Sequence, residues 1–170
     1  MRISVNIDAD YTETLSSSKT EAVFLSLTSL FLLCFILRSN KAGLDILAIV
    51  FLFTFLFFLF YAFNYRILSI KVAQGILTLR FGLFACKLPL AEIESADLDD
   101  ISLWRIGGAG LHFTSIRRRY RAMFNFLEYP RVVVRLRTRR GPVRDVAFST
   151  RYPAQVIHLL GGDTSSRTAA

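Results

Sequence analysis

The chain has 170 residues, 53% of them hydrophobic, with 21 Lys and Arg against 13 Asp and Glu for a formal charge of +8. That length leaves room for one modest globular domain plus membrane segments. Its two cysteines, Cys34 and Cys86, lack C-x-x-C spacing, and its two histidines, His112 and His158, lack H-x-x-H or Cys/His spacing, which argues against a disulfide framework and a metal site.

Residues 1–21 form a polar N-terminal segment whose acids, Asp8, Asp10, Glu13 and Glu21, outnumber Arg2 and Lys19. A signal peptide wants a basic start instead. Two apolar runs follow, residues 22–37 and 46–63, around the loop Arg38-Ser-Asn-Lys-Ala-Gly43. The second holds 18 residues without a charge. A helix of about 20 apolar residues crosses the hydrocarbon core, so this run qualifies once Leu44 is included. The first is shorter, and its ends at Thr20-Glu21 and Arg38 can reach the headgroups by snorkelling. The remaining 105 residues are too few to bury two helices that are apolar on every face. The reading is a transmembrane hairpin over residues 22–65, with helices at about 22–37 and 44–63. Asp45, at the head of the second span, has Arg38 and Lys41 within reach as partners. Lys19, Arg66, Lys71 and Arg80 outweigh Arg38 and Lys41 of the loop, which places both termini in the cytoplasm, with Tyr61 and Tyr65 at the interface.

From Ile67 the pattern turns to period two. Leu68, Ile70 and Val72 alternate with polar or small residues, and runs at 76–81 and 83–88 follow behind Gly75 and Gly82, predicting three short strands joined by tight turns. Residues 89–95 read as a turn, and an acidic cluster, Asp97, Asp99 and Asp100, precedes residues 101–106. The Gly107-Gly-Ala-Gly110 break lacks a following Gly-Lys-Ser/Thr, so a bulge or bend is expected there, not a phosphate loop. Strands are predicted over 111–116, 131–138 and 143–148, the 131–138 strand with Val132, Val134 and Leu136 on its apolar face. A helix starts near Pro153 and stops at Gly161-Gly162, and residues 163–170 read as a tail without fixed structure. The expected fold class is α+β, with the helical hairpin followed by about seven antiparallel strands over residues 66–160 and one C-terminal helix capping their core.

Leu77-Thr-Leu-Arg-Phe-Gly82, then Lys87-Leu-Pro-Leu-Ala-Glu-Ile93, the Gly107–110 break, the Gly141 hairpin and the Tyr152-Pro-Ala154 helix start together resemble the bacterial pleckstrin-homology-like (PH-like) domain family. The resemblance covers about residues 66–160. It implies a PH-like β-barrel or sandwich behind two transmembrane helices at a bacterial inner membrane. It transfers no catalytic residue set and does not imply phosphoinositide binding. His112 stands where members more often carry arginine.

The strongest functional lead is basic. Residues 117–144 contain ten arginines and one acid, Glu128. Arg117, Arg118, Arg119, Arg121, Arg135, Arg137, Arg139 and Arg140 are the candidate surface for anionic lipid headgroups, because a cation near an anionic leaflet contributes about 1 kcal/mol. A solvated strand face accounts for the same pattern, and both readings stay open. Phe113, Tyr120, Phe124 and Phe126 interleave with the arginines as in single-strand binders, yet strand aromatics usually form core and the domain is tethered, so nucleic acid is not an expected partner. No nucleophile, acid/base pair or cofactor motif stands out. The expectation is a non-catalytic inner-membrane protein that binds or scaffolds at the bilayer, alternatively an accessory subunit of a membrane complex, with the lipid bilayer and a membrane protein as partners and no cofactor.

Overall fold

The computed structural model describes residues 11–116 and 119–161. The chain opens with a strand, β1 (Tyr11–Ser16), followed by two long helices, α1 (Ser18–Ala42) and α2 (Ile46–Asn64). A four-stranded antiparallel sheet then forms in the order β1-β2-β3-β4, with β2 at Ile67–Ala73, β3 at Ile76–Phe81 and β4 at Phe84–Pro89. A 3-10 turn (Leu90–Glu92) leads to β5 (Ile93–Asp99) and a short helix, α3 (Leu103–Ile106). The rest comprises β6 (Gly110–Ile116), β7 (Arg119–Asn125), β8 (Arg131–Arg140), β9 (Val143–Ser149) and α4 (Pro153–Leu159).

The helical hairpin behaves as the connection of a β-hairpin. β1 pairs antiparallel with β2 from Tyr11↔Val72 to Ser16↔Ile67, so the two ends of the inserted helices stand opposite each other in one sheet. The N-terminal segment, expected to lie outside the domain, therefore supplies its edge strand from residue 11 onward. Each helix begins on a side-chain cap. Ser17 Oγ accepts from the Thr20 N–H at 3.1 Å, and Asp45 Oδ1 accepts from the Ala48 N–H at 2.9 Å, satisfying donors a helix start leaves open. Asp45 also pairs with Arg38, one of its two expected partners. α1 runs 25 residues, longer than its apolar run because polar residues extend both ends. At 1.5 Å per residue the two helices measure about 37 and 28 Å, long enough for a hydrocarbon core. Both pass for candidate membrane spans by length and composition, and only 11% of each apolar window is buried within the protein.

The second sheet has the order β5-β8-β9-β7-β6. Nine strands in two unclosed sheets thus stand, among the described residues, where about seven were expected. The second sheet is also mixed, because β9 inserts between β8 and β7 and runs parallel to β7. Residues 89–95 are part strand, since β5 begins at Ile93. The glycines at 107–110 form the bend, not the bulge, of the two expected alternatives. Gly107, at φ +91, ends α3 in the left-handed conformation that glycine adopts without a Cβ penalty.

One core lies between the sheets. Leu15, Leu68, Leu77, Leu79 and Phe81 from the first sheet meet Phe124, Phe126, Val132, Val134 and Phe148 from the second, and Val156, Ile157 and Leu160 join them from α4, as the capping helix was expected to do. A smaller cluster of Ile106, Met123, Val133 and Ala147 covers the outer face of the second sheet, beneath Ile101 and Leu103. A buried carboxylate ties β1 to the segment that follows β9. Glu13 of β1 accepts from Tyr11 Oη (2.7 Å), Thr150 Oγ1 (2.6 Å) and the Arg151 N–H (2.8 Å). Burial, and then donation to Glu13, hold the Tyr11 hydroxyl well above its ordinary pKa. Cys34 on α1 and Cys86 on β4 form no disulfide. Among the predicted features, the tail beyond residue 161 lies outside the described residues.

Candidate functional site

Strand alternation puts residues 119, 121 and 123 of β7 on the outer face of the second sheet with 131, 133, 135 and 137 of β8 and Asp145 of β9. The candidate arginines share this face only in part. Arg117 and Arg118 lie outside the described residues, and Arg139 and Arg140 end β8. Arg121 is not a surface residue. It is buried, with Nη1 3.1 Å from Asp99 Oδ1 and Nη2 3.6 Å from Asp145 Oδ2. Arg131 is buried beside it, with Nε 3.2 Å from Asp99 Oδ2 and Nη2 donating to the Ile101 carbonyl. A guanidinium withdrawn from water is tolerable only when paired, so these two arginines require Asp99 and Asp145. Arg119 and Arg135 are half exposed, each 3.6 Å from a carboxylate, Asp145 and Asp97 respectively. Arg137 is exposed, and its Nε donates to the Ile93 carbonyl at 3.1 Å.

The position of this row matters as much as its pairing. The start of β6 abuts the hairpin, since Gly110 lies against Tyr65 and Phe24. After β7, the Leu127 N–H donates to Thr20 Oγ1 at 3.2 Å, and before β8, Tyr129 Oη donates to the Ser16 carbonyl at 2.9 Å. Ile116, Arg119 and Arg140 therefore mark the opposite ends of their strands, about 20–30 Å from the hairpin base at 3.3 Å per residue. That separation exceeds two Debye lengths of about 8–10 Å.

A different set of cations surrounds the base. Lys19 is exposed in the first turn of α1, and Arg66 pairs with Glu21 at 3.0 Å just beyond α2. Arg80 Nε donates to the Gly82 carbonyl at 3.0 Å, and Arg151 stacks over the Tyr129 ring, 5.5 Å from its centroid. Sequence reasoning used Lys19, Arg66 and Arg80 only to orient the hairpin and passed over Arg151. Its position depends on Glu13, 138 residues earlier, for which no local signal exists.

The exposed apolar residues at the base belong to the same region. Phe63, Ile67 and Leu83 are 71%, 55% and 79% exposed. An aromatic stack of Phe60, Tyr61, Tyr65 and Phe84 runs from the last turns of α2 into β4.

His112 Nε2 lies 2.6 Å from the Ile106 carbonyl, and burial lowers its pKa against the opposing pull of backbone contacts at Ile106 and Gly110. His158 is exposed on α4. Among the described residues no three His, Cys, Asp or Glu side chains gather as metal ligands. Asp97 and Asp99 face arginines, not an open cation site. Comparison with protein families, curated proteins and solved structures finds no match to this chain.

Proposed function

We propose that the chain is an integral membrane protein of a bacterial inner membrane, anchored by α1 and α2, with both termini cytoplasmic and a non-catalytic, PH-like β domain that binds or scaffolds at the bilayer. The observation that carries this reading is the insertion of the hairpin between paired strands β1 and β2. Two long apolar helices, largely unburied by the protein, leave a sheet through adjacent strands, so an anchor and a domain are joined without a flexible linker. The cations at Lys19, Arg66, Arg80 and Arg151 support a cytoplasmic base by the positive-inside bias. The PH-like assignment draws support from motif order. Residues 77–82 form β3 and its turn, residues 88–93 the passage into β5, and Pro153 opens a helix that enters the core.

A second reading has its own support. The exposed arginines toward the far ends of β7 and β8, Arg119 and Arg137, favour a partner beyond the membrane surface, because they lie about 20 Å along their strands from the hairpin base. An acidic protein partner fits that position, which favours an accessory subunit of a membrane complex. Alkaline carbonate extraction and reporter fusions at both termini test the first reading. Release of the protein by carbonate, or a periplasmic C-terminus, refutes it. Purification in mild detergent tests the second, which fails if the protein elutes alone.

A further inference from the structure

We infer that the β3–β4 turn is a third membrane contact, seating Leu83 and Phe84 in the headgroup–acyl boundary of the leaflet that α1 and α2 enter, with Arg80 alongside for lipid phosphates. This rests on the anchored reading above and adds to it a surface outside the two helices.

The turn's composition is the first argument. Two-residue hairpin loops favour glycine and small polar residues. The β2–β3 turn obeys that rule with Gln74-Gly75, whereas the β3–β4 turn is Gly82-Leu83 and leaves Leu83 79% exposed. In water that leucine gains nothing from its position.

Its mounting is the second argument. The Leu83 N–H donates to Asn64 Oδ1 at 2.9 Å, and Asn64 is the last residue of α2. Gly82 has φ +51, and a Cβ there would overlap both the carbonyl and side-chain oxygens of Asn64. The turn is thus pressed onto the helix end in a way only glycine permits. Phe84 follows it against Phe60 and Tyr65, with ring centroids 6.4 and 6.2 Å apart. Phe60 lies about one turn inside the apolar span, so Phe84 sits level with the segment that enters the bilayer.

The occupant follows from continuity and charge. Phe63 and Ile67, both exposed, extend the apolar surface of α2 to the turn, and the cations Lys19, Arg66, Arg80 and Arg151 lie around the same base. Apolar side chains rimmed by basic ones suit the interface of an anionic bilayer.

The test uses the full chain reconstituted into vesicles of mixed zwitterionic and anionic phospholipid with brominated acyl chains. The sole tryptophan, Trp104, is replaced by Phe, and Leu83→Trp is compared with Thr138→Trp on the far part of β8. The inference expects the indole at 83 to emit at shorter wavelength and to be quenched several-fold more strongly than that at 138. Equal quenching and water-like emission at both positions overturn it. Should the Trp104→Phe background fail to fold, Leu83→Cys and Thr138→Cys in a Cys34→Ala, Cys86→Ala background give the same decision. A water-soluble maleimide then labels position 83 several-fold more slowly than 138, and equal rates overturn the inference. Carbonate extraction of the same samples separates the two claims, since release from the vesicles defeats the anchored reading, while retention with an unquenched position 83 defeats only the turn's insertion.

Discussion

The hairpin base and the outer face of the second sheet are both rich in arginine, yet they use it differently. On the outer face, acids from neighbouring strands reach the arginines, and two of the guanidiniums are buried as part of the structure. At the base, Arg80 and Arg151 meet backbone carbonyl and aromatic ring instead, and stay exposed beside apolar side chains. A count of charge along the chain ranks the first region as the stronger lipid surface. The folded arrangement pairs the arginines of the first region with acids, since Asp97, Asp99 and Asp145 all lie outside the stretch of sequence in which the arginines were counted.

The sharpest way to break this contrast is to remove the acid that serves both buried arginines. Asp99→Ala leaves Arg121 and Arg131 without their shared carboxylate and is expected to cost about 3–5 kcal/mol, read by denaturant unfolding followed by circular dichroism. Asp97→Ala, which removes the exposed Arg135 pair and a 3.3 Å hydrogen bond from Ser95 Oγ, is expected to cost about 1 kcal/mol. Similar losses for both would erase the distinction between structural and surface arginines.

Gly82→Ala comes next. It forces a Cβ into Asn64 from a left-handed backbone conformation, with an expected loss of about 1–3 kcal/mol in the same assay. Gly141→Ala, also at positive φ but with open space around it, should cost less.

The lipid contrast is subtler. Neutralising Lys19, Arg66, Arg80 and Arg151 together should lower the enrichment of anionic lipid retained by the protein in detergent, each near-surface cation being worth about 1 kcal/mol. Neutralising Arg135, Arg137, Arg139 and Arg140 should leave that enrichment unchanged. The reverse result would return the outer face to its place as the lipid surface.

The smallest effect is one of pH. His112 has its pKa lowered in the fold, so the unfolded chain binds the proton more readily. Stability therefore declines as pH falls below about 6.5, the ordinary histidine value. His112→Gln should flatten that slope, and an unaltered slope assigns it to other groups.

The long helices were legible because an uninterrupted apolar run has few alternative readings, and Arg38 and Asp45 were close enough in sequence to be paired by inspection. β1 and β5 escaped notice because their partner strands are distant in the chain, and β7, although it pairs with its neighbour β6, because the acids that serve its arginines are distant. β1 offers little apolar material, and its central inward residue, Glu13, looks like a solvent residue until Thr150 and Arg151 are placed beside it. β5 carries Asp97 and Asp99, residues disfavoured in strands, and becomes intelligible only opposite Arg131 and Arg135 of β8. β7 mixes arginines with aromatics, and its outward Arg121 needs acids from two other strands. The cations at the hairpin base were hidden for the same reason, since Lys19, Arg66, Arg80 and Arg151 are spread over 132 residues of the chain.

The pairing of β1 with β2 also constrains how the protein can be made. Residues 11–16 leave the ribosome before either helix, yet their partner strand is synthesised only after both. If α1 and α2 cross a bilayer as proposed, the edge of the first sheet must wait through their insertion, and it can be claimed only if Tyr11 and Val72 end on the same side. A chain inserted with a single crossing strands β1 across the bilayer from β2, leaving Glu13 far from Thr150 and the core open at Leu15. Under the anchored reading, completion of the domain thus requires an even number of crossings between β1 and β2.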